Sequence, residues 1–543
     1  MGRGMTRRGF LKVAGAGIGA AALSPLLQTA SRPEVALAQT SNTLFYGMAS
    51  PFDTLDVTVT TATVVGRMGL HIVDPLVWPV GGGQYAPGLA TSWTVSPDAT
   101  AYTFKLRDDV RFHDGTPFTA EAVKVTFDRI VDPATKAQTA FSFIGPYDRT
   151  EVLSPHEVRV RFKRPYVTFL NGASSPYLGI ISPTALRRYG ADFGPVVFVA
   201  SGPFSIQSYQ SGQEVTLVRN INYNWASRIF RHNGPPYLQR IIYKIITEPS
   251  TRLAALETGE VQFMEDVPPT DLERIKGNRN IKVIEIVQAG SGWSVMFNQQ
   301  RPPTNELAVR RAFQLAVDKE GLSKSVWSGV YKPACSPLTT NLFGYDPETC
   351  KKNPRNVDQA RRVLEEAGWV MGSDGIRVKG GQRLVVDYYY RTENPKLREM
   401  TAFIQANMRP VGVDVQLRGL AGPAYFQAVR TGLHHVQYWW ETGTDPGQML
   451  RTLFHSSNAG GGTNRNNYRN AEMDTLIDQI GAEANAQKRR ELIVKAQAKA
   501  LDEQVMMFLV DPPSLYAHQQ SVSGVWVDWG GNYPYFYDAR ISR

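Results

Sequence analysis

"RLVVDYYYRTENPKLREMTAFIQANMRPVGVDVQL", residues 383–417, decides the fold class of this chain. Residues 383–390 are an apolar run of β-branched and aromatic side chains, the composition of a strand. Asn394 and Pro395 then offer a side-chain cap and a first helical residue with its φ already set. Leu397, Met400 and Ile404 follow at helical spacing and turn one face inward. "GVDVQL" at 412–417 is the next strand. Strand–helix–strand is the unit of an α/β lobe, so the later half is read as α/β.

The helix before this unit is equally well marked. Asn356 and Gln359 make a capping box, Ala360, Val363, Leu364 and Ala367 repeat at helical spacing, and Gly368 ends the run. The earlier half has a different character. "TSWTVSPDATAYTFKLRDDVRF" alternates through Trp93 and Val95, then Tyr102, Phe104 and Leu106, with a turn around Pro97-Asp98. That pattern is a hairpin. "HEVRVRF" and "EVTLVRN" alternate in the same way.

With 543 residues the chain is too long for one compact core. Hydrophobic residues make up 42% and charged ones 20%, as in ordinary globular proteins. The net charge is +10, but residues 1–38 account for +4 of it, leaving +6 over the rest. No dense Lys/Arg run occurs, so nucleic acid is not expected as a partner. "TRRGFLK" at 6–12, the weakly apolar stretch 13–27 and "ALAQ" at 36–39 resemble a twin-arginine export signal cut after Ala38. A periplasmic location follows from that reading. In such a compartment Cys335 and Cys350, the only cysteines, are expected to close one surface loop as a disulfide.

Two Pro-Pro stretches, "EDVPPTDL" at 265–272 and "LVDPPSLY" at 509–516, bracket the α/β half. Paired prolines fix φ and interrupt sheet pairing, which suits segments that cross between domains. Catalytic signatures are missing: there is no His-Glu-x-x-His, no Gly-x-Ser-x-Gly and no phosphate-binding Gly-Lys loop. His434 and His435 are neighbours; on a strand they would face opposite ways, one packed and one solvated, and would not share a metal. No cofactor or metal is expected. A different class of reading takes Glu441 and Asp445, in "VQYWWETGTDPGQ" (436–448), as the acid/base pair of a hydrolase.

A resemblance runs through most of the chain. "APGLATSWTVSPDATAYTFKLRDDVRFHDGTPFTAEAVKVTFDRI" at 86–130 resembles the signature region of family 5 extracellular solute-binding proteins, the peptide-, dipeptide- and nickel-binding components of ATP-driven importers. The likeness continues through 201–225, 250–263, 296–322, 360–369 and 404–417, in family order. One departure is Ala99, where the family's hairpin usually carries Gly.

The resemblance implies two lobes joined by a two-strand hinge, with a subdomain inserted in the first lobe. The implied organisation is an export signal at 1–38, first-lobe segments at 39–76, 173–263 and 511–543, the insert at 77–172, and the second lobe at 264–510. It implies a monomeric receptor that is not an enzyme, a peptide or peptide-like solute as ligand, and membrane permease subunits as partners. Oligosaccharides and other small metabolites are alternatives within the same family.

The resemblance also points to residues. Dipeptide-binding members use an Arg near a strand end for the ligand carboxylate, and Arg391 resembles it. They place an Asp three residues before an Asp-Pro or Glu-Pro pair for the ligand amine. Here the pair is Asp445-Pro446 and the position holds Thr442. Either the neighbouring Glu441 substitutes, or no free amine is bound. Nickel-binding members carry His after that Pro; Gly447 stands there, which disfavours nickel. On a strand, Tyr438 and Trp440 share one face and Trp439 takes the other. Either face could stack a ligand or pack in the lobe interior.

Overall fold

A computed structural model describes residues 42–542, leaving out 61 and 353. The expected export segment and its cleavage site lie outside the described residues.

Two large sheets organise the chain. The first has seven strands, in the spatial order Ile281–Val287, Pro513–Gln519, Phe263–Glu265, Thr43–Met48, Arg240–Ile245, Glu214–Arg219 and Phe204–Gln210. Thr43–Met48 runs parallel to both of its neighbours, and the other pairings are antiparallel. The second sheet has six strands, in the order Lys332–Pro333, Met506–Asp511, Gly290–Phe297, Val436–Thr442, Val385–Arg391 and Asp414–Leu420. A four-stranded antiparallel sheet, Ala90–Val95, Ala101–Leu106, Glu157–Phe162 and Tyr147–Ser154, forms the core of an insert with the helix Ala120–Val131 against it.

The deciding stretch folds as its pattern dictates. In Val385–Arg391 burial alternates, with Val386, Tyr388 and Tyr390 inside. Asn394 then accepts a hydrogen bond from Lys396 N at 3.0 Å and starts the helix Pro395–Met408. Leu397, Met400, Ile404 and Met408 are buried along one side of it. The next strand, Asp414–Leu420, lies parallel to the first, with Val385 opposite Asp414. The hairpin also forms, pairing Trp93 with Phe104. Ala99 adopts φ +52° in its turn, the left-handed conformation that Gly adopts freely. Ala99 N donates to Ser96 O at 2.8 Å, and the Ser96 hydroxyl accepts from Ala101 N at 2.9 Å.

The chain passes between the two large sheets twice. Asp511 ends a second-sheet strand and Pro513 begins a first-sheet strand, so the second Pro-Pro stretch does sit at a crossing. The first stretch does not. Pro268 and Pro269 only end the short strand Phe263–Glu265 and open a 3-10 turn, Pro269–Asp271. The chain then returns to the first sheet as Ile281–Val287, antiparallel to Pro513–Gln519. Its crossing is at Gln288 and Ala289, so the boundary expected at 264 moves to 288. The reason is that a Pro pair stops one ladder without preventing a later strand from rejoining the same sheet. The two crossings run side by side, with Gln288 N donating to Pro512 O at 3.0 Å.

His434 and His435 also differ from expectation: both are buried, just before the strand Val436–Thr442. His434 Nε2 lies 2.9 Å from Arg465 O, and His435 Nδ1 accepts from Asp387 N at 2.9 Å. Burial pushes both imidazoles down to about 4, so both are neutral at pH 7.

Candidate functional site

Sheet topology creates a crevice in the second lobe. From Val385–Arg391 the chain goes to Asp414–Leu420 on one side, then back across to Val436–Thr442 on the other. This is a topological switch point, where open α/β sheets bind ligands outside the carboxyl ends of their strands. Val385–Arg391 and Val436–Thr442 pair only at Tyr388–Val436 and Tyr389–Gln437. Their carboxyl ends, Arg391 and the segment 438–442, therefore separate.

Aromatic rings fix the groups at this opening. Arg391 Nε donates to Tyr438 Oη at 2.5 Å. Its guanidinium lies 5.6 Å from the Phe426 ring centre and 5.8 Å from that of Tyr438. Glu393 is not its ion-pair partner; that carboxylate accepts from Gly422 N at 2.5 Å. Tyr438 stacks on Tyr425 at 5.5 Å. Trp293 stacks on both Tyr438 and Trp440, each at 6.2 Å, so those two share a face as alternation requires. Trp440 is 44% exposed, whereas Trp439 packs against the core around Leu450 and Met506. A second guanidinium, Arg465, lies 5.4 Å from the Phe426 centre and 5.1 Å from that of Trp439.

Glu441 follows on the same side as Trp439. Its Oε2 is buried without a hydrogen-bond partner. Burial pushes its carboxyl up to about 8, against the opposing pull of the Trp439 indole and Arg465. It is therefore mostly uncharged at pH 7. Thr442 turns elsewhere, into a cavity of about 200 Å³ that residues of both lobes and the insert line. Thr442–Thr444 supply the second-lobe wall, Asn171 belongs to the insert side, and Tyr177, Asp528 and Tyr533 complete it. The close approach here needs Gly290, since a Cβ on it would lie 2.1 Å from Glu441 O.

Asp445 is occupied with structure. It caps the helix Pro446–Phe454 by accepting from Gln448 N at 2.8 Å, and it pairs with Arg489 at 2.8 Å. Thr444 Oγ1 donates to Asn171 Oδ1 at 2.6 Å, tying the second lobe to the insert. Of the residues singled out in the sequence, Arg391, Tyr438, Trp439, Trp440 and Glu441 gather around the crevice, Thr442 lines the cavity, and Asp445 is engaged by Arg489. Cys335 and Cys350 are joined as a disulfide, with Cα atoms 5.0 Å apart.

The family comparison decides what kind of protein carries these features. The model of bacterial extracellular solute-binding proteins, family 5, matches residues 84–461. The chain belongs to this family. A probable D,D-dipeptide-binding periplasmic protein of Escherichia coli is 27% identical over 443 residues, covering 80% of this chain and 81% of that protein. The nickel-binding periplasmic protein of Escherichia coli is 29% identical over 396 residues, covering 72% and 74%. Among solved structures, a dipeptide-binding protein from Pseudoalteromonas sp. SM9913 in complex with Met-Leu superposes with a TM-score of 0.75. It is 21% identical, with 92% of this chain and 100% of that chain covered, which shows a shared fold.

In this family 5 protein, sequence reasoning missed the first-lobe side of the cavity. Asp528 and Tyr533 come from "WVDWGGNYPYFYD", 526–538, whose density of aromatic and turn residues was the available signal. Asp528 accepts from the backbone N–H groups of Gly530, Asn532 and Tyr533 at 3.1, 2.8 and 2.6 Å. Burial nevertheless pushes its carboxyl up to about 6. Arg465, in a loop otherwise rich in Gly and Asn, carried no sequence signal at all.

Proposed function

We propose that this family 5 protein is a periplasmic, monomeric receptor that captures a peptide or peptide-like solute between its lobes and delivers it to the permease of an ATP-driven importer. The observation that carries this reading is the cavity lined from both lobes, beside two adjacent crossings that can act as one hinge. A ligand that touches both walls favours the closed arrangement by the difference between its affinities for the closed and open states. Enclosure strengthens each charged contact, since little water remains to screen it. The cycle forms and breaks no covalent bond, and the ligand leaves unchanged. The ligands of its relatives, a dipeptide among them, support a solute of that class.

The test begins with ligand retained by freshly purified protein, identified by native mass spectrometry. The protein is then stripped by reversible unfolding, and the ligand is added back. Small-angle scattering should show compaction at saturation; an unchanged radius of gyration would refute hinge closure. Recovery of a chemically altered ligand would refute the receptor reading in favour of a hydrolase.

A second reading is an oligosaccharide or other small amphipathic metabolite. It is favoured by neutral Thr442 at the amine-binding position and by the exposed Trp440 face stacked on Trp293.

A further inference from the structure

Both walls of the cavity hang on one residue of the first crossing. Ala289 N donates to Gly530 O at 2.8 Å, on the first-lobe loop that carries Asp528, Trp529 and Tyr533. The Ala289 carbonyl accepts from Gly443 N at 3.0 Å, on the second-lobe wall. On either side, Gln288 Nε2 donates to Asn532 Oδ1 at 3.2 Å, and Gly290 pairs with Thr442. A change of angle at the crossing therefore cannot leave the walls where they are.

A loop of the second lobe grips this crossing. Residues 335–350 are closed by the Cys335–Cys350 disulfide. The buried amide of Gln497 accepts from Ser336 Oγ at 2.7 Å and donates to Gly344 O at 2.7 Å, and Leu338 and Leu342 are buried in the second-lobe core. Thr339 N donates to Gly290 O, and Gly290 N donates to the Thr339 hydroxyl, each at 3.0 Å. That hydroxyl donates onward to Asn341 Oδ1 at 3.0 Å, which orients the amide. Asn341 Nδ2 then donates to two first-lobe carbonyls. One is Val287 O at 2.7 Å, at the end of the strand that enters the crossing; the other is Trp529 O at 3.0 Å, on the cavity loop. Both amide hydrogens and the amide oxygen are thus engaged. The Trp529 side chain packs against the same second-lobe core.

Resting on the receptor reading above, we propose that Asn341 is a positioning residue for solute capture: it binds the first-lobe wall of the cavity to the hinge, so that closing the lobes and assembling the cavity are one event. It lies outside the cavity lining and acts through Trp529 and Val287. A side chain that met Val287 alone would brace the hinge, and one that met Trp529 alone would brace the wall. Asn341 meets both, from a loop whose covalent closure leaves it few conformations to lose.

The test compares Asn341→Ala and Asn341→Asp with wild type, in the full chain, at pH 8 and without added solute. Hydrogen exchange is read by mass spectrometry and the radius of gyration by small-angle scattering. In Asn341→Ala the amides of 288–290 and 526–533 should exchange about tenfold faster, the scale of two lost hydrogen bonds, and the radius of gyration should rise. The insert strand Ala101–Leu106 should exchange as in wild type. Asp has the shape of Asn, but when ionised it sets a negative charge against two carbonyls, so Asn341→Asp should exchange faster still. A packing role alone would leave Asp close to wild type, and that outcome would overturn the proposal. So would an equal acceleration in Ala101–Leu106, which marks general destabilisation. Faster exchange at the wall with an unchanged radius of gyration would also overturn it, because wall and hinge would then be separate. Circular dichroism checks folding, and the Asp variant carries the test if the Ala variant does not fold. The receptor reading fails on other results, a wild type that its solute does not compact or a solute recovered altered, and these solute-free measurements do not depend on it.

Discussion

Replacing Glu441 with Gln should stabilise the protein, and by more as the pH rises. The wild-type carboxyl titrates near 8 in the folded chain, against an ordinary value of 4.5. Between those values the unfolded chain has lost its proton and the folded chain keeps it. Folding therefore binds a proton, and stability falls with increasing pH across this window. Each pH unit costs about 1.4 kcal/mol. The loss begins near pH 4.5, amounts to about 3 kcal/mol at pH 7, and levels off above pH 8. Gln has almost the same shape and no proton to lose, so it escapes the whole penalty. Urea unfolding of both proteins at pH 5, 7 and 8.5, followed by circular dichroism, measures the difference directly. Comparing variant with wild type cancels other buried carboxyls such as Asp528 and Asp511, which titrate near 6 and 7. The expected gap is small at pH 5 and about 3 kcal/mol at pH 7. A gap that stays constant from pH 5 to 8.5 would show that Glu441 ionises normally in the fold, and the account of its burial would be wrong.

Arg391→Ala should weaken ligand binding by at least about tenfold in calorimetry, the scale of a lost charged hydrogen bond, and unchanged affinity would remove Arg391 from the site. Asp445→Ala should cost about 3 kcal/mol in urea unfolding, because it uncaps the helix Pro446–Phe454 and strands the half-enclosed Arg489; a loss under about 1 kcal/mol would mean the pair is no more than a surface contact. Thr444→Val removes the hydroxyl that donates to Asn171. Without ligand it should shift the lobes toward the open arrangement by about fivefold, the worth of one ordinary hydrogen bond, and an unchanged scattering profile would show that this contact does not hold the lobes together.

The local structure around 383–417 could be read because each signal acts within a few residues. Asn394 caps, Pro395 sets φ, and Leu397, Met400 and Ile404 choose the buried face. The hairpin pairing Trp93 with Phe104 was equally local. The capping role of Asp445 has a local signal too: Asp before Pro at the head of an apolar-periodic run is a helix N-terminus. Its ionic partner Arg489 stands 44 residues further on, and no spacing rule reveals that. The same applies to Arg465 over Trp439, and to Tyr177 and Tyr533 on the cavity wall. The Pro-Pro stretch at 265–272 misled because it reports only where a ladder stops. Which sheet Ile281–Val287 joins is decided by pairing with Pro513–Gln519, far away in the chain.

That pairing has a consequence for how the molecule is made. Pro513–Gln519 lies inside the first sheet, between Ile281–Val287 and Phe263–Glu265. A chain still being synthesised lacks it until long after both neighbours, Phe263–Glu265 and Ile281–Val287, have been made, and these meanwhile present an open ladder edge. The second lobe, whose strands from 385 to 442 are close in sequence, can assemble early; the first must close a loop of more than two hundred residues. Completion of the first sheet is therefore a report that the chain has been made at least as far as Gln519. A product truncated before residue 513 would keep a nearly intact second lobe beside an unfinished first sheet, and would be the species most exposed to strand-edge aggregation and proteolysis.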